Sequence, residues 1–520
     1  MSSPGPRRQP SKTKPFIAAV LKLTACTVGM VACLEPALAI TFMETSGAAG
    51  IDSDHHFSYE VTGQAWGDYD NDGHEDLYLT DNLGPNTLYR NNGNGTFEVS
   101  PLSAQVALGN AASGGATFAD YDNDGDQDLL VLNNGLDSLF ENTGAAFVDV
   151  SATSGLTEPG MGESAAWGDF NQDGFLDLYV TNYQQGMPTD PINQDRLYIN
   201  DGDGSFTEVS YLLDIDRMKG PAFAVTFLDY DNDGDLDLYV VNDKFFGNLL
   251  WRNDGAGCGL WCFTDVSVAT GAARPADGMG IAVGDYDLDG DDDLYYSGRG
   301  EMILLQSQIA QGNDVFTEVT VEAGVNVDAV GWGTVFVDFN NDGWEDIYLA
   351  TASPFPGATN RVYQNNGDST FLDVSDSSGA SNDGATFGVA YADYDSDGRV
   401  DIVIGNLHES YHLYRNTSEV GDWLSVKLVG RGPVNRDAVG AVAVLELSDG
   451  RFLRRRVHIG SSIGADHQRA LHFGLGSADP VEMTITWPDG TLEVIDALPT
   501  NQEMVRSYPL PEMILSNGFE

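Results

Sequence analysis

Cysteine is scarce: the chain has four in 520 residues, and only Cys258 and Cys262 lie beyond residue 40. That count excludes a disulfide-built scaffold and a multi-cysteine zinc site. Histidine is also rare, at eight. Basic side chains are few for the length, 25 Lys and Arg against 79 Asp and Glu, giving a net charge of −54. Residues 40–420 alone carry 11 basic against 65 acidic side chains. A surface of that sign repels phosphate backbones and argues against nucleic acid as a partner. It favours solubility and cationic partners. After residue 40 no run approaches the ~20 apolar residues that span a bilayer, so no transmembrane segment is expected.

What is abundant is aspartate and glycine in a fixed order. The pattern Asp-x-Asp/Asn-x-Asp-Gly-x-x-Asp occurs seven times between Asp68 and Asp401, with starts 52, 49, 60, 56, 53 and 55 residues apart. A period of that size marks a solenoid or a propeller. Before each loop lies a small-residue strand ending in an aromatic, as in Gln64-Ala-Trp-Gly67. After it come an apolar run such as Asp237-Leu-Tyr-Val-Val241, a third run such as Leu88-Tyr-Arg-Asn91, an Asn/Asp-Gly turn, and a fourth run such as Thr96-Phe-Glu-Val99. Alternation with Asn-Gly and Asp-Gly turns reads as hairpins. The expectation is an all-β chain with a seven-bladed β-propeller over 40–420. The seventh repeat lacks a fourth strand, and Ile40–Gly50 has the pattern of Phe147–Gly155. The N-terminal strand is therefore expected to complete the seventh blade and leave no long free sheet edge.

Each loop gathers hard oxygen ligands: carboxylates at positions 1, 3, 5 and 9, a backbone carbonyl at 7, and a glycine at 6 for the sharp turn. That chemistry fits Ca²⁺. The first loop offers Asp68, Asp70, Asp72, Asp76 and the His74 carbonyl, and the second Asp120, Asp122, Asp124, Asp128 and the Asp126 carbonyl. The third offers Asp169, Asn171, Asp173, Asp177 and the Phe175 carbonyl; the fourth Asp229, Asp231, Asp233, Asp237 and the Asp235 carbonyl. The fifth has Asp285, Asp287, Asp289, Asp293 and the Asp291 carbonyl; the sixth Asp338, Asn340, Asp342, Asp346 and the Trp344 carbonyl. The seventh has Asp393, Asp395, Asp397, Asp401 and the Arg399 carbonyl. An EF-hand is excluded because position 12 is Leu79 and Val131 rather than Glu, and the flanks read as strands. Up to seven structural Ca²⁺ ions are expected, bound more weakly where Asn171 and Asn340 replace a carboxylate.

Residues 1–39 read as an export signal: Arg7, Arg8, Lys12 and Lys14, an apolar run from Phe16 to Cys33, and cleavage after Ala39 in Ala37-Leu-Ala39. Leu23-Thr-Ala-Cys26 is the competing lipoprotein signal. The chain is expected to be secreted, periplasmic or at the cell surface, where Cys258 and Cys262 would pair. At Gly421 the repeat stops. Residues 421–497 show alternating runs with Ser448-Asp-Gly450 and Pro488-Asp-Gly490 turns, a small β-sandwich followed by a tail, 498–520. Arg454 and Arg456 share a strand face there, read as solvated or as docked on the acidic repeats.

The seven loops resemble the FG-GAP/VCBS repeats of the integrin α-subunit propeller. Asn435-Arg-Asp-Ala-Val-Gly440, Leu471-His-Phe-Gly-Leu-Gly476 and Trp487-Pro-Asp-Gly490 resemble the ASPIC/UnbV domain. Together the arrangement is similar to the cartilage acidic protein family. That resemblance implies a secreted Ca²⁺-binding protein and names no molecular activity. The residues show no catalytic motif, so the leading expectation is a non-enzymatic adhesion or recognition module with an extracellular protein or glycan as partner. The alternatives are a lectin-like propeller, with Tyr183, Phe245 and Phe246 as sugar-stacking candidates, and a polysaccharide hydrolase or lyase. His55 and His56 read as surface polar residues, and His458, His467 and His472 as structural ones.

Overall fold

In the computed structural model, the described residues are 38–509 except 57–60, 110, 184–193, 215–217, 219, 245, 259 and 353–358. Most of the expected export signal, Phe245 and the end of the tail lie outside them. Alternating apolar residues put strands where the period-2 pattern predicts. In the first repeat these are Gln64–Gly67, Asp76–Leu79, Thr87–Asn91 and Phe97–Val99, paired antiparallel in sequence order. Each aspartate loop joins the first strand to the second. The same four-stranded meander follows from Ser113–Ala119, Gly160–Gly168, Ala222–Leu228, Gly278–Gly284 and Gly331–Val337.

The seventh repeat supplies Thr386–Ala392, Asp401–Asn406 and His412–Asn416, and Phe42–Glu44 lies on the last of these, Phe42 opposite Asn416. First strands of successive repeats touch in order, and that of the seventh touches that of the first. Apolar cores sit between neighbouring sheets: Ala65 and Tyr78 of the first repeat, for instance, pack with Phe118 and Leu129 of the second. The likeness between Ile40–Gly50 and Phe147–Gly155 has a physical cause. Gly50 and Gly155 both take φ 87°, and a Cβ on either would meet the Phe97 or Phe206 carbonyl oxygen at 2.6 or 2.2 Å. Only glycine fits there.

Residues 422–507 form a three-stranded sheet and a four-stranded sheet that share a core, including Leu424, Phe473, Leu445 and Trp487. Gln502–Ser507, assigned from sequence to the tail, is a strand pairing in parallel with Asp422–Val429. Its residues Gln-Glu-Met-Val-Arg-Ser carry too little apolar alternation to announce it. Between Phe452–Arg456 and Leu471–Gly476, Ile459–Arg469 leaves the two sheets and runs among the first strands of the repeats. Trp167 N–H donates to Ile459 O at 3.1 Å, Ile281 and Ser462 exchange backbone bonds at 3.0 and 2.6 Å, and Ala465–Asp466 pairs with Gln64–Ala65. Arg469, itself in a two-oxygen ion pair with Asp466, donates to Phe118 O at 2.5 Å. Gly460, at φ 91°, passes where a Cβ would lie 2.2 Å from the Ala165 oxygen. Repeats and C-terminal region form one compact unit.

Candidate metal loops and their seams

Every loop repeats one backbone path. Position 4 is left-handed in all seven, from Asn71 and Asn123 (φ 56° and 64°) through Gln172, Asn232, Leu288 and Asn341 to Ser396. Position 6, always glycine, is left-handed again, as at Gly73 (φ 88°) and Gly125 (φ 102°). Asparagine tolerates that region better than branched residues, which explains its recurrence at position 4. The position-1 carboxylate accepts the position-6 N–H, as in Asp169 with Gly174 at 2.9 Å. The position-5 carboxylate accepts the N–H of position 7, as in Asp173 with Phe175 at 3.0 Å. These bonds turn the carboxylates toward one point.

The convergence is measurable. Carboxylate oxygens of Asp68, Asp70 and Asp76 lie within 4.8 Å of one another, as do those of Asp120, Asp122 and Asp128. The same holds for Asp229, Asp231 and Asp237, for Asp285, Asp287 and Asp289, and for Asp393, Asp395 and Asp401. In the third and sixth loops Asn171 and Asn340 break the all-carboxylate set; Asn340 Nδ2 instead donates to Leu38 O at 3.0 Å. Gln364 donates to the same carbonyl at 2.8 Å.

Many of these oxygens are buried and have no hydrogen-bond partner: Oδ1 of Asp68, Asp70, Asp120, Asp231, Asp287 and Asp395 among them. A buried unpaired carboxylate oxygen is costly unless a cation sits on it. Burial, reinforced by the neighbouring loop carboxylates, pushes the position-9 acids up: Asp76 to about 9 and Asp128 to about 10. The donor set of hard oxygens therefore fits a Ca²⁺-type ion. Two loops carry an additional arginine that the ligand pattern itself does not announce. Arg90 reaches Asp70 and Asp72 at 2.6 and 2.9 Å, and Arg415 reaches Asp395 and Asp397 at 2.6 and 2.9 Å. Each stands just before the asparagine that ends the third strand, which is the signal that finds it.

That asparagine joins neighbouring repeats. The position-9 aspartate accepts its backbone N–H, as in Asp128 with Asn142 at 2.7 Å. Its side chain then donates to the position-2 carbonyl of the preceding repeat: Asn91 to Tyr394, Asn142 to Tyr69, Asn200 to Tyr121, Asn253 to Phe170, Asn365 to Tyr286 and Asn416 to Phe339, all at 2.7–2.8 Å. The fifth repeat has Ser307 there, so the seam between fourth and fifth lacks this bond. The position-2 aromatic meanwhile packs on a phenylalanine of the next repeat's fourth strand. The pairs run from Tyr69–Phe147 at 5.8 Å and Tyr121–Phe206 at 5.6 Å to Phe339–Phe42 at 5.1 Å and Tyr394–Phe97 at 5.5 Å. Each such pair contributes about 0.5–1.5 kcal/mol beyond its buried area.

Asn142 is fully buried and also donates to Gln127 O at 3.1 Å. Asn142→Ala is expected to leave both acceptors unpaired and to cost about 3 kcal/mol in urea unfolding. A cost below about 1 kcal/mol would show that these asparagines do not tie the repeats together.

The C-terminal region lies over the loop side of the repeats. Lys427 Nζ is 3.4 Å from Asp68, Asp120 N–H donates to Asp437 at 2.8 Å, and His472 Nε2 is 2.7 Å from Asn341 Oδ1. Asp393 N–H donates to Gln468 at 2.7 Å, and Arg451 to the Asp342 carbonyl at 2.5 Å. Arg454 and Arg456 are docked, not solvated: both pair with buried Asp292, Arg456 at 3.0 Å. Arg455 lies 3.4 Å from Glu345. Asp292 and Glu345 are position-8 residues.

Other candidate residues fall as follows. Cys258 and Cys262 form a disulfide. His55 is fully buried rather than superficial, with Nδ1 3.1 Å from Thr80 O, whereas His56 is exposed and 2.7 Å from Asp81. His467 stacks on Tyr391 at 4.2 Å, and burial drives both it and His472, the latter to about 3, toward the neutral form. Phe246 is exposed, but Tyr183 is buried and stacked on Phe223 at 4.0 Å. Among the described residues no helix is long and apolar enough to cross a membrane.

The FG-GAP-like repeat model matches residues 68–131, 120–180, 188–240, 229–296 and 338–404, and the ASPIC and UnbV model matches 431–509. Cartilage acidic protein 1 of Mus musculus is 24% identical over 497 residues, covering 88% of this chain and 75% of that protein. The Homo sapiens protein of that name is 23% identical over 408 residues, covering 73% of this chain and 60% of its own length. Among solved structures, an Agrocybe aegerita lectin that recognises non-reducing terminal N-acetylglucosamine aligns at 17% identity and a TM-score of 0.40, covering 68% of this chain and 87% of that one.

Proposed function

The chain belongs to the FG-GAP-like repeat family, in the arrangement with a C-terminal ASPIC and UnbV domain that resembles cartilage acidic protein 1, and from that premise we propose that it is an extracellular Ca²⁺-binding recognition protein. In this reading residues 40–420 are a seven-bladed propeller closed by the N-terminal strand. Residues 421–509 are a sandwich domain seated on it, and export follows cleavage after Ala39. Ca²⁺ is structural. The observation that carries the reading is the set of buried carboxylate oxygens left without partners in the loops.

Binding is preferred to catalysis on chemical grounds. The convergent carboxylates are engaged in holding loops, with their oxygens turned toward one point and to backbone N–H groups. Glycoside hydrolysis needs a pair of carboxyls flanking a substrate cleft instead. The likeness to cartilage acidic protein 1 supports an extracellular protein or glycan as partner. Equilibrium dialysis of the mature protein against millimolar ⁴⁵Ca²⁺ tests the metal assignment. At least five ions per chain are expected, one for each all-aspartate cluster, and up to seven. A stoichiometry of zero or one would remove the proposal.

A further inference from the structure

At the side of the repeats away from the aspartate loops, where second strands end and first strands begin, there is a cavity of about 510 Å³. That is within the range of small-molecule sites, about 300–1,000 Å³. Side chains of five consecutive repeats line it, from Tyr183 in the third to Phe387 in the seventh. Its wall is a continuous aromatic surface: Tyr183 stacks on Phe223, Phe223 meets Trp332 edge-on at 5.5 Å, and Trp332 lies 4.0 Å from Phe387. Ile463, at the tip of the segment inserted from the C-terminal region, packs in the same apolar cluster.

Three polar features mark this as a binding site. Trp332 is 5% exposed, and its Nε1–H has no acceptor, the kind of buried donor that native structures satisfy with a ligand or water. Asp277 and Arg299 line the cavity from adjacent backbone positions, Arg299 N–H donating to Asp277 O at 3.2 Å. Among the described residues neither side chain has a hydrogen-bond or ion-pair partner. They do not neutralise each other, so an unpaired anion and an unpaired cation stand side by side over an apolar wall. A cation already rests on this surface at its edge, where Lys244 Nζ lies 4.7 Å from the Tyr183 ring centroid.

We propose that this cavity binds a small zwitterion of α-amino-acid type bearing an aromatic or branched apolar side chain. The side chain lies on Trp332 and Phe387, the ammonium on Asp277 and the carboxylate on Arg299. Charge complementarity selects this class. A simple carboxylate would leave Asp277 unpaired and meet the field of a chain carrying −54, a simple amine would leave Arg299 unpaired, and a zwitterion satisfies both without net charge. A sugar carries no charge for Asp277 or Arg299 and would leave the anion and the cation uncompensated, which disfavours it. The inference goes beyond the recognition reading and does not require the bound Ca²⁺ to touch the ligand.

The test is calorimetric titration of the full-length, Ca²⁺-loaded protein with L-phenylalanine, L-leucine, phenethylamine, phenylacetate and glucose. Saturable one-to-one binding of the amino acids is expected, with either single-charge analogue weaker by about tenfold and no binding of glucose. Arg299→Gln should weaken L-phenylalanine by about tenfold and leave phenethylamine unchanged. Asp277→Asn should weaken L-phenylalanine and phenethylamine and leave phenylacetate unchanged. Both residues are at the rim, and an unaltered Ca²⁺-dependent melting transition confirms that each variant folds. No saturation with either amino acid, equal affinity for amine and amino acid, or preference for glucose overturns the proposal. The melting control separates those failures from failure of the Ca²⁺ reading.

Discussion

Asp292→Ala is expected to lower the unfolding free energy by about 3–5 kcal/mol, the cost of leaving buried charges without their partner. Asp292 is fully enclosed, and burial by itself would raise its carboxyl. Arg454 and Arg456 outweigh that effect and hold it below the ordinary carboxylate range. Both guanidiniums come from the C-terminal region and are only 7% exposed. Removing the aspartate therefore strands Arg454 and leaves Arg456 only Asp229, 4.0 Å away, at the place where that region meets the fifth loop. Replacing all three residues together, Asp292→Leu with Arg454→Met and Arg456→Met, is expected to cost much less, because an apolar cluster of similar volume needs no charge compensation. Urea unfolding of the single and triple variants gives the comparison. A single variant within about 1 kcal/mol of the parent, or a triple variant worse than the single, would contradict this account of the docking.

The loops were legible because their message is local. Asp at positions 1, 3, 5 and 9 with Gly at 6 states both the ligand chemistry and the turn, and no distant residue is needed to read it. Strand positions were legible for the same reason, from alternation and Asn-Gly turns. The seam residues were not. Tyr69 shows only as an aromatic beside a loop, and its partner Phe147 belongs to the next repeat; Asn142 shows only as the end of a strand. The C-terminal region was harder still. Arg454 and Arg456 look the same in sequence whether solvated or facing Asp292, and position 8 of a loop carries no ligand role to flag it. Ile459-Gly-Ser-Ser-Ile-Gly464 holds a signal in its small residues, since only small side chains pass between first strands so closely packed. His55 was misread because its burial depends on Thr80 and Tyr411, far away along the chain.

Ca²⁺ removal is the change with the largest expected effect. An ion at ten times its dissociation constant adds about 1.4 kcal/mol per site, and five to seven such sites approach the whole stability of many domains, about 5–15 kcal/mol. Without the ion the position-9 acids Asp76 and Asp128 hold protons, burial pushing them up to about 9 and 10, against about 4 in an unfolded chain. Between those values the folded state binds more protons than the unfolded one, so metal-free stability falls as pH rises and is recovered on acidification toward 4. The Ca²⁺-loaded protein responds in the opposite sense, because acid displaces the ion from its carboxylates.

The direct measurement is thermal unfolding of the mature protein in about 5 mM Ca²⁺ and, separately, after exhaustive EGTA dialysis, each at pH 8 and pH 5. The expected result is a midpoint about 10 °C or more lower in EGTA at pH 8, with the gap narrowing at pH 5. Midpoints that coincide within about 1 °C at pH 8 would contradict the claim that cations clip these loops together.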